Sequence, residues 1–73
     1  MIQELDRVVL TTDLPEYGLQ SGDIGTVVLA GKGYEVEFVS LNGETLAVIS
    51  LLATQVRSSC AQEVAHAREI GAA

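Results

Sequence analysis

The side chains able to do chemistry are few. The chain holds one cysteine, Cys60, and one histidine, His66. A catalytic nucleophile needs a base positioned beside it. Six residues apart on a helix, these two point about 120° away from alignment. Cys60 is therefore expected as a small buried residue rather than as a nucleophile. His66 stands three residues from both Glu63 and Glu69, the spacing at which helical neighbours meet. Three such residues on one short terminal helix make a weak ligand set, so neither a metal nor another cofactor is expected. Glu35 and Glu37 share one face of a strand, about 7 Å apart. A general acid–base pair needs a concave, desolvated site. A convex sheet face lacks one, so this pair reads as solvated and edge-protecting. Gly22-Asp23-Ile24-Gly25 lacks the spacing, the lysine and the following helix of a phosphate-cradling glycine loop. With no catalytic constellation in view, the chain is expected not to be an enzyme.

What remains is binding. Asp13, Glu16 and Asp23, with Tyr17 among them, cluster around the first long loop. Long loops on a rigid scaffold carry function, so these four residues are the candidate binding set, an acidic rim for a basic partner. Asp23 also suits the turn after Gly22.

The elements that must position them are short. Leu5 to Thr12 is β-branched and partly alternating, a first strand. Asp13 to Gly18 is a loop punctuated by Pro15 and Gly18. Gly22 and Asp23 turn into a second strand, Ile24 to Ala30. Gly25 lies inside it and marks a bend or a close backbone approach. Gly31-Lys32-Gly33 is a tight connection. In the third strand, Tyr34 to Ser40, residues Tyr34, Val36 and Phe38 share one face and Glu35 and Glu37 the other. Leu41-Asn42-Gly43 holds an Asn-Gly hairpin turn. The fourth strand, Glu44 to Leu51, has apolar residues on both faces: Leu46 and Val48 against Ala47, Ile49 and Leu51. That pattern predicts burial on both sides. Ala53 to Gln55 suits one helical turn, and Val56 to Ser58 a short closing strand.

The composition changes at Ser59. Ser59 and Gln62 have capping-box spacing. Ala61 to Ile70 is rich in helix formers, with Gly71 as a stop. A short helix is expected here, either docked on the fourth strand or frayed into solvent, because an isolated helix of this length is marginal. Residues 1–58 thus read as a small β-barrel of about five strands and 59–73 as a helical or frayed tail.

Seventy-three residues make one domain at most. A domain this small buries only roughly 60% of its unfolded surface. One cysteine excludes an internal disulfide and fits a reducing compartment. Met1-Ile2-Gln3-Glu4 opens without a basic stretch or a long apolar run, so neither a signal peptide nor a membrane span is expected, and the location is expected to be cytoplasmic. Ten acidic residues against four basic give a net charge of -6. Arg7, Lys32, Arg57 and Arg68 are scattered and outnumbered, which opposes binding to nucleic acid and to anionic membrane. Nearly half the residues are apolar (48%). That is generous for a small interior, so apolar surface is left for the tail, a partner or a second copy to cover.

The order of strand, long loop, Gly22-Asp23-Ile24-Gly25-Thr26-Val27-Val28, hairpin and Tyr34-Glu35-Val36-Glu37-Phe38 resembles the SH3-like small barrels. The Gly-Asp-x-Gly-x-Val core is similar to that of ribosomal and transcription-factor KOW modules. It also resembles the SH3-like subunits of nitrile hydratase and of certain photosynthetic electron-transfer proteins. More closely, Leu5 to Arg57 resembles the bacterial family called domain of unknown function four-nine-two-six. Glu4-Leu5-Asp6-Arg7-Val8-Val9-Leu10, Asp13-Leu14-Pro15-Glu16, Gly18-Leu19, Gly22 to Val28, Tyr34 to Phe38 and Gln55-Val56-Arg57 carry that likeness. The resemblance implies an all-β fold and no particular activity. RNA-binding KOW modules are basic and this chain is acidic. Proline-binding SH3 domains use an aromatic groove, and Tyr17, Tyr34 and Phe38 are the only aromatics here. The expected function is non-enzymatic protein binding, as an accessory or antitoxin/immunity-like partner or as a homo-oligomer. The alternative is a nucleic-acid-binding barrel related to KOW modules.

Overall fold

The computed structural model describes residues 2–70. Five strands form one antiparallel sheet: β1 (Arg7–Leu10), β2 (Ile24–Ala30), β3 (Tyr34–Val39), β4 (Thr45–Leu51) and β5 (Val56–Ser58). Their order across the sheet is β4-β3-β2-β1-β5. β1 starts later than Leu5. Residues Gln3 to Asp6 make a turn, with the Asp6 carboxylate accepting the Gln3 N–H at 2.9 Å and Leu5 in the left-handed region at φ 73°.

β2 serves both halves of the sheet. Ile24 to Thr26 pair with β1, and Thr26 to Ala30 pair with β3. The bend falls where Gly25 stands. A Cβ there would meet Val36 Cγ1 at 2.5 Å and the Glu37 carbonyl at 3.1 Å, so only glycine lets the halves close. The Asn42-Gly43 turn forms as the sequence predicts: the Gly43 N–H donates to the Ser40 carbonyl at 2.9 Å, and Gly43 has φ 90°.

All five strands feed one core. Val8 and Leu10 meet Val27, Val36, Phe38, Ile49, Leu51 and Val56, and Leu19 closes it from the long loop. The expected alternation in β3 holds, with Val36 and Phe38 buried. In β4 it corrects the two-sided expectation. Ile49 and Leu51 are buried, while Leu46 and Val48 are 41% and 53% exposed. No element covers the outer face of β4 among the described residues.

The expected C-terminal helix is absent from the described residues. A turn over Cys60 to Glu63 leads into irregular chain as far as Ile70, and Gly71, read as the helix stop, lies outside the described residues. Val64 is 93% exposed. Without a docked apolar stripe, a segment this short does not repay the cost of helix nucleation. Cys60 is exposed rather than buried. Two 3₁₀ turns, Pro15–Tyr17 and Ala53–Gln55, are the only helical residues described, and among the described residues no helix is long and apolar enough to cross a membrane.

Candidate functional site

The long loop extends the β1–β2 hairpin as a small rigid lobe. Leu14 and Leu19 exchange backbone hydrogen bonds at 2.9 and 3.1 Å, and the Pro15–Tyr17 turn caps them. Asp13 Oδ1 accepts the Ser21 N–H at 2.8 Å, which ties the lobe across its base. Glu16 and Tyr17 stand exposed at the tip. Three of the four candidates therefore sit on the lobe's open side.

Asp23 differs. It is half-buried at the root of the lobe and meets Arg68 from the tail. Arg68 Nε donates to Oδ1 at 3.0 Å, and Nη2 donates to Oδ2 at 2.5 Å and to the Gly18 carbonyl at 2.9 Å. The Gln20 N–H donates to Oδ2 at 2.9 Å. Burial pushes the Asp23 carboxyl up, but the Arg68 hydrogen bond, the Gln20 N–H and the Arg68 charge outweigh it and hold it below its ordinary value. Nothing local in the sequence marks Arg68 as its partner, since 45 residues separate them.

A second ion pair anchors the start of the tail. Arg57 on β5 grips Glu63 through two hydrogen bonds at 3.0 and 2.5 Å. The Cys60 N–H donates to the same carboxylate at 2.5 Å. Arg57, then the Cys60 N–H, pull the Glu63 carboxyl down to about 2. Glu63 is thus committed to Arg57, and it does not gather with His66 and Glu69. Among the described residues no three His, Cys, Asp or Glu side chains are placed to hold a metal.

These two pairs carry the tail over the outer face of β1. Val9 lies opposite Ile24 on one side and Arg57 on the other, on the face away from the core. It is nonetheless only 7% exposed and stands outside the core cluster. The tail, held at Arg57 and Asp23, is a strap over that face rather than a helix on β4.

The other half of the outer face is open. Val28 and Leu29 of β2, Val39 of β3 and Leu46 and Val48 of β4 are each at least 40% exposed. Register shifts at Val28 and Leu46 mark bulges that crowd apolar residues onto this side. Glu35 and Glu37 stand among them. Ser50 and Thr45 of β4 donate their hydroxyls to these carboxylates, each at 2.6 Å. An open groove separates the tail from the β3–β4 turn, with Val39, Leu41, Leu46 and Ile70 in its walls.

The family model described as domain of unknown function (DUF4926) matches residues 4–58. The chain belongs to the DUF4926 family. No curated protein and no solved structure matches it. The DUF4926 match ends with β5, so all five strands lie inside it and the strap lies beyond it. The family carries no assigned activity that would single out the lobe or the open face.

Proposed function

We propose that this DUF4926 chain is a non-enzymatic protein-binding module, acting in the cytoplasm as an accessory partner of another protein. One observation carries the reading: an outer face over β2–β4, uncovered among the described residues, on which the exposed apolar side chains of β2 and β4 flank Glu35 and Glu37 of the central strand. Exposed apolar side chains gathered on one face and interspersed with polar groups fit a protein interface better than a catalytic site. The partner it suits has an apolar patch bordered by basic residues. The chain's charge of -6 steers such a partner toward it. An antitoxin or immunity-like role against a basic toxin is one concrete form. The exposed Glu16 and Tyr17 of the lobe are a second candidate contact for such a partner. Arg57 and Arg68 are each engaged with a carboxylate, which lowers the positive charge offered to nucleic acid.

The test is capture from native lysate by the parent chain and by Leu46→Glu. A basic protein held at one-to-one ratio by the parent, weakened by salt and lost with L46E, is the expected result. Recovery of no stable hetero-partner, or of one that L46E holds equally well, would sink the reading. A gel shift at low salt, where phosphate contacts are strongest, is expected to show no binding to RNA or DNA.

A further inference from the structure

We propose that β4 is a self-pairing edge, through which two copies of this chain join their sheets into one. The inference does not depend on what the outer face binds. β4 is the free end of the sheet order and runs seven residues, Thr45–Leu51, without a charge or a proline. Natural edges of that length are ordinarily blunted by lysine, proline or a covering segment. The bulge at Leu46 disturbs only its first part, which leaves Ala47 to Leu51 regularly paired to β3.

The backbone tells which groups face outward. The Leu51 carbonyl turns toward the β2–β3 hairpin, 2.8 Å from where a Gly33 Cβ would stand. In an antiparallel ladder alternate residues bond the same neighbour. Leu51, Ile49 and Ala47 therefore bond β3, and Val48 and Ser50 turn their N–H and C=O away from it. A second copy, related by a two-fold axis at Ile49, sets Val48 against Ser50 of that copy, and Ser50 against its Val48. Each pair exchanges two backbone hydrogen bonds, four in all.

Side chains suit the same register. On the core side Ala47 opposes Leu51 of the second copy and the two Ile49 positions face each other. Ile49 and Leu51 are already buried within each copy, so this side brings no clash of large exposed groups and little new contact. On the outer side Val48 faces Ser50. No charge opposes a like charge, because the strand has none. Glu35 and Glu37 stay over β3, held by the Ser50 and Thr45 hydroxyls. A strand brought by another protein could meet the same hydrogen bonds, but this strand's own reversed copy also fits its sizes and its lack of charge.

The seam is small beside a standard interface of about 800 Å² per partner, so the dimer is weak and concentration-dependent. Each copy carries a charge of -6, so salt strengthens the dimer by screening repulsion. That is opposite to the salt response of a basic hetero-partner, and the two readings can therefore fail separately.

The experiment is sedimentation of the purified parent chain and of Val48→Lys, from low to high micromolar concentration, at low and at moderate salt. The introduced ammonium stands opposite Glu37, so the fold is expected to survive, as circular dichroism and thermal unfolding will show. The parent is expected to dimerise as concentration and salt rise, and V48K to stay monomeric throughout. A second variant, V48C/S50C with Cys60→Ser, checks the register without relying on V48K. The Cα atoms of a directly hydrogen-bonded antiparallel pair stand about 5.5 Å apart, inside the disulfide range. Oxidation is expected to give one covalent dimer and no larger polymer. A parent that stays monomeric at high micromolar concentration overturns the proposal. So does a folded V48K that still dimerises, or a double-cysteine variant that fails to cross-link.

Discussion

The sheet has two edges, and they are finished differently. β5 is three residues long and carries Arg57, whose guanidinium grips Glu63 and starts the strap. β4 is seven residues long and uncharged, and no described residue covers it. Unpaired strand edges invite further pairing, and length, charge and cover are the means of preventing it. β5 uses all three, whereas β4 has only a bulge near its start. Within one small domain, the guarded edge and the open edge separate the part that completes the fold from the part left for association.

Substitutions that test this contrast span a wide range of effect. The largest is expected on the inner side of β4. Leu51 is 4% exposed, and Leu51→Ala should cost about 2–5 kcal/mol in chemical denaturation, the range for truncating a buried leucine. Val48, on the outer side of the same strand, is 53% exposed, and Val48→Ala should change stability by no more than about 0.5 kcal/mol. Equal losses at the two positions would mean that β4 is covered on its outer side after all.

Next comes the bend joining the two halves. Gly25→Ala forces a methyl onto Val36 and the Glu37 backbone. Overpacking of this kind typically costs about 1–3 kcal/mol. The loss should appear as a lower thermal midpoint, with amide exchange accelerating in the β1–β2 ladder as well as in β2–β3.

Smaller effects belong to the strap and its charges. Glu63 titrates at about 2 when folded, below the value of 4.5 for an unpartnered glutamate. A lowered folded value means that the stabilisation is fully present above the unfolded pKa and is lost as pH falls from there through the folded one. Asp23 acts in the same direction. Strap anchoring should therefore hold at neutral pH and fail as pH drops below about 4 toward 2. Carboxyl NMR checks this directly: Arg57→Ala should move the Glu63 midpoint up toward the ordinary carboxylate range. A midpoint that stays near 2 in R57A would assign the depression to the Cys60 N–H instead.

Much of the sheet is legible in the sequence because its signals are local. Val36 and Phe38 alternate with Glu35 and Glu37, Asn42-Gly43 specifies a turn, and Gly25 interrupts a strand where backbone and core approach. Each needs only a few neighbouring residues to be read. The tail fails that test. Helix formers from Ala61 to Ile70 give the local signal, but two ion pairs decide the conformation, and one of them reaches back 45 residues to Asp23. β4 fails for another reason. Apolar residues on both faces show that neither face prefers water, without showing whether anything covers them. Of the candidate site, the lobe of Asp13, Glu16 and Tyr17 follows from the loop composition. The commitment of Asp23 to Arg68 has no sequence signature.

One feature of the guarded edge reaches into protein engineering. Ser59 touches the start of β1, its N–H and hydroxyl each 3.4 Å from the Arg7 carbonyl. The two ends of the DUF4926 segment therefore meet at a single point on the surface. Domains with adjacent ends and an exposed turn elsewhere accept circular permutation and insertion. The exposed Leu41-Asn42-Gly43 turn lies between β3 and β4, away from that junction in the strand order. A rearranged chain that starts at Gly43, joins Ser59 to Asp6 through a short linker and ends at Asn42 keeps all five strands. It also places both new termini beside β4, where a fused reporter or a tethered second copy sits next to the open edge.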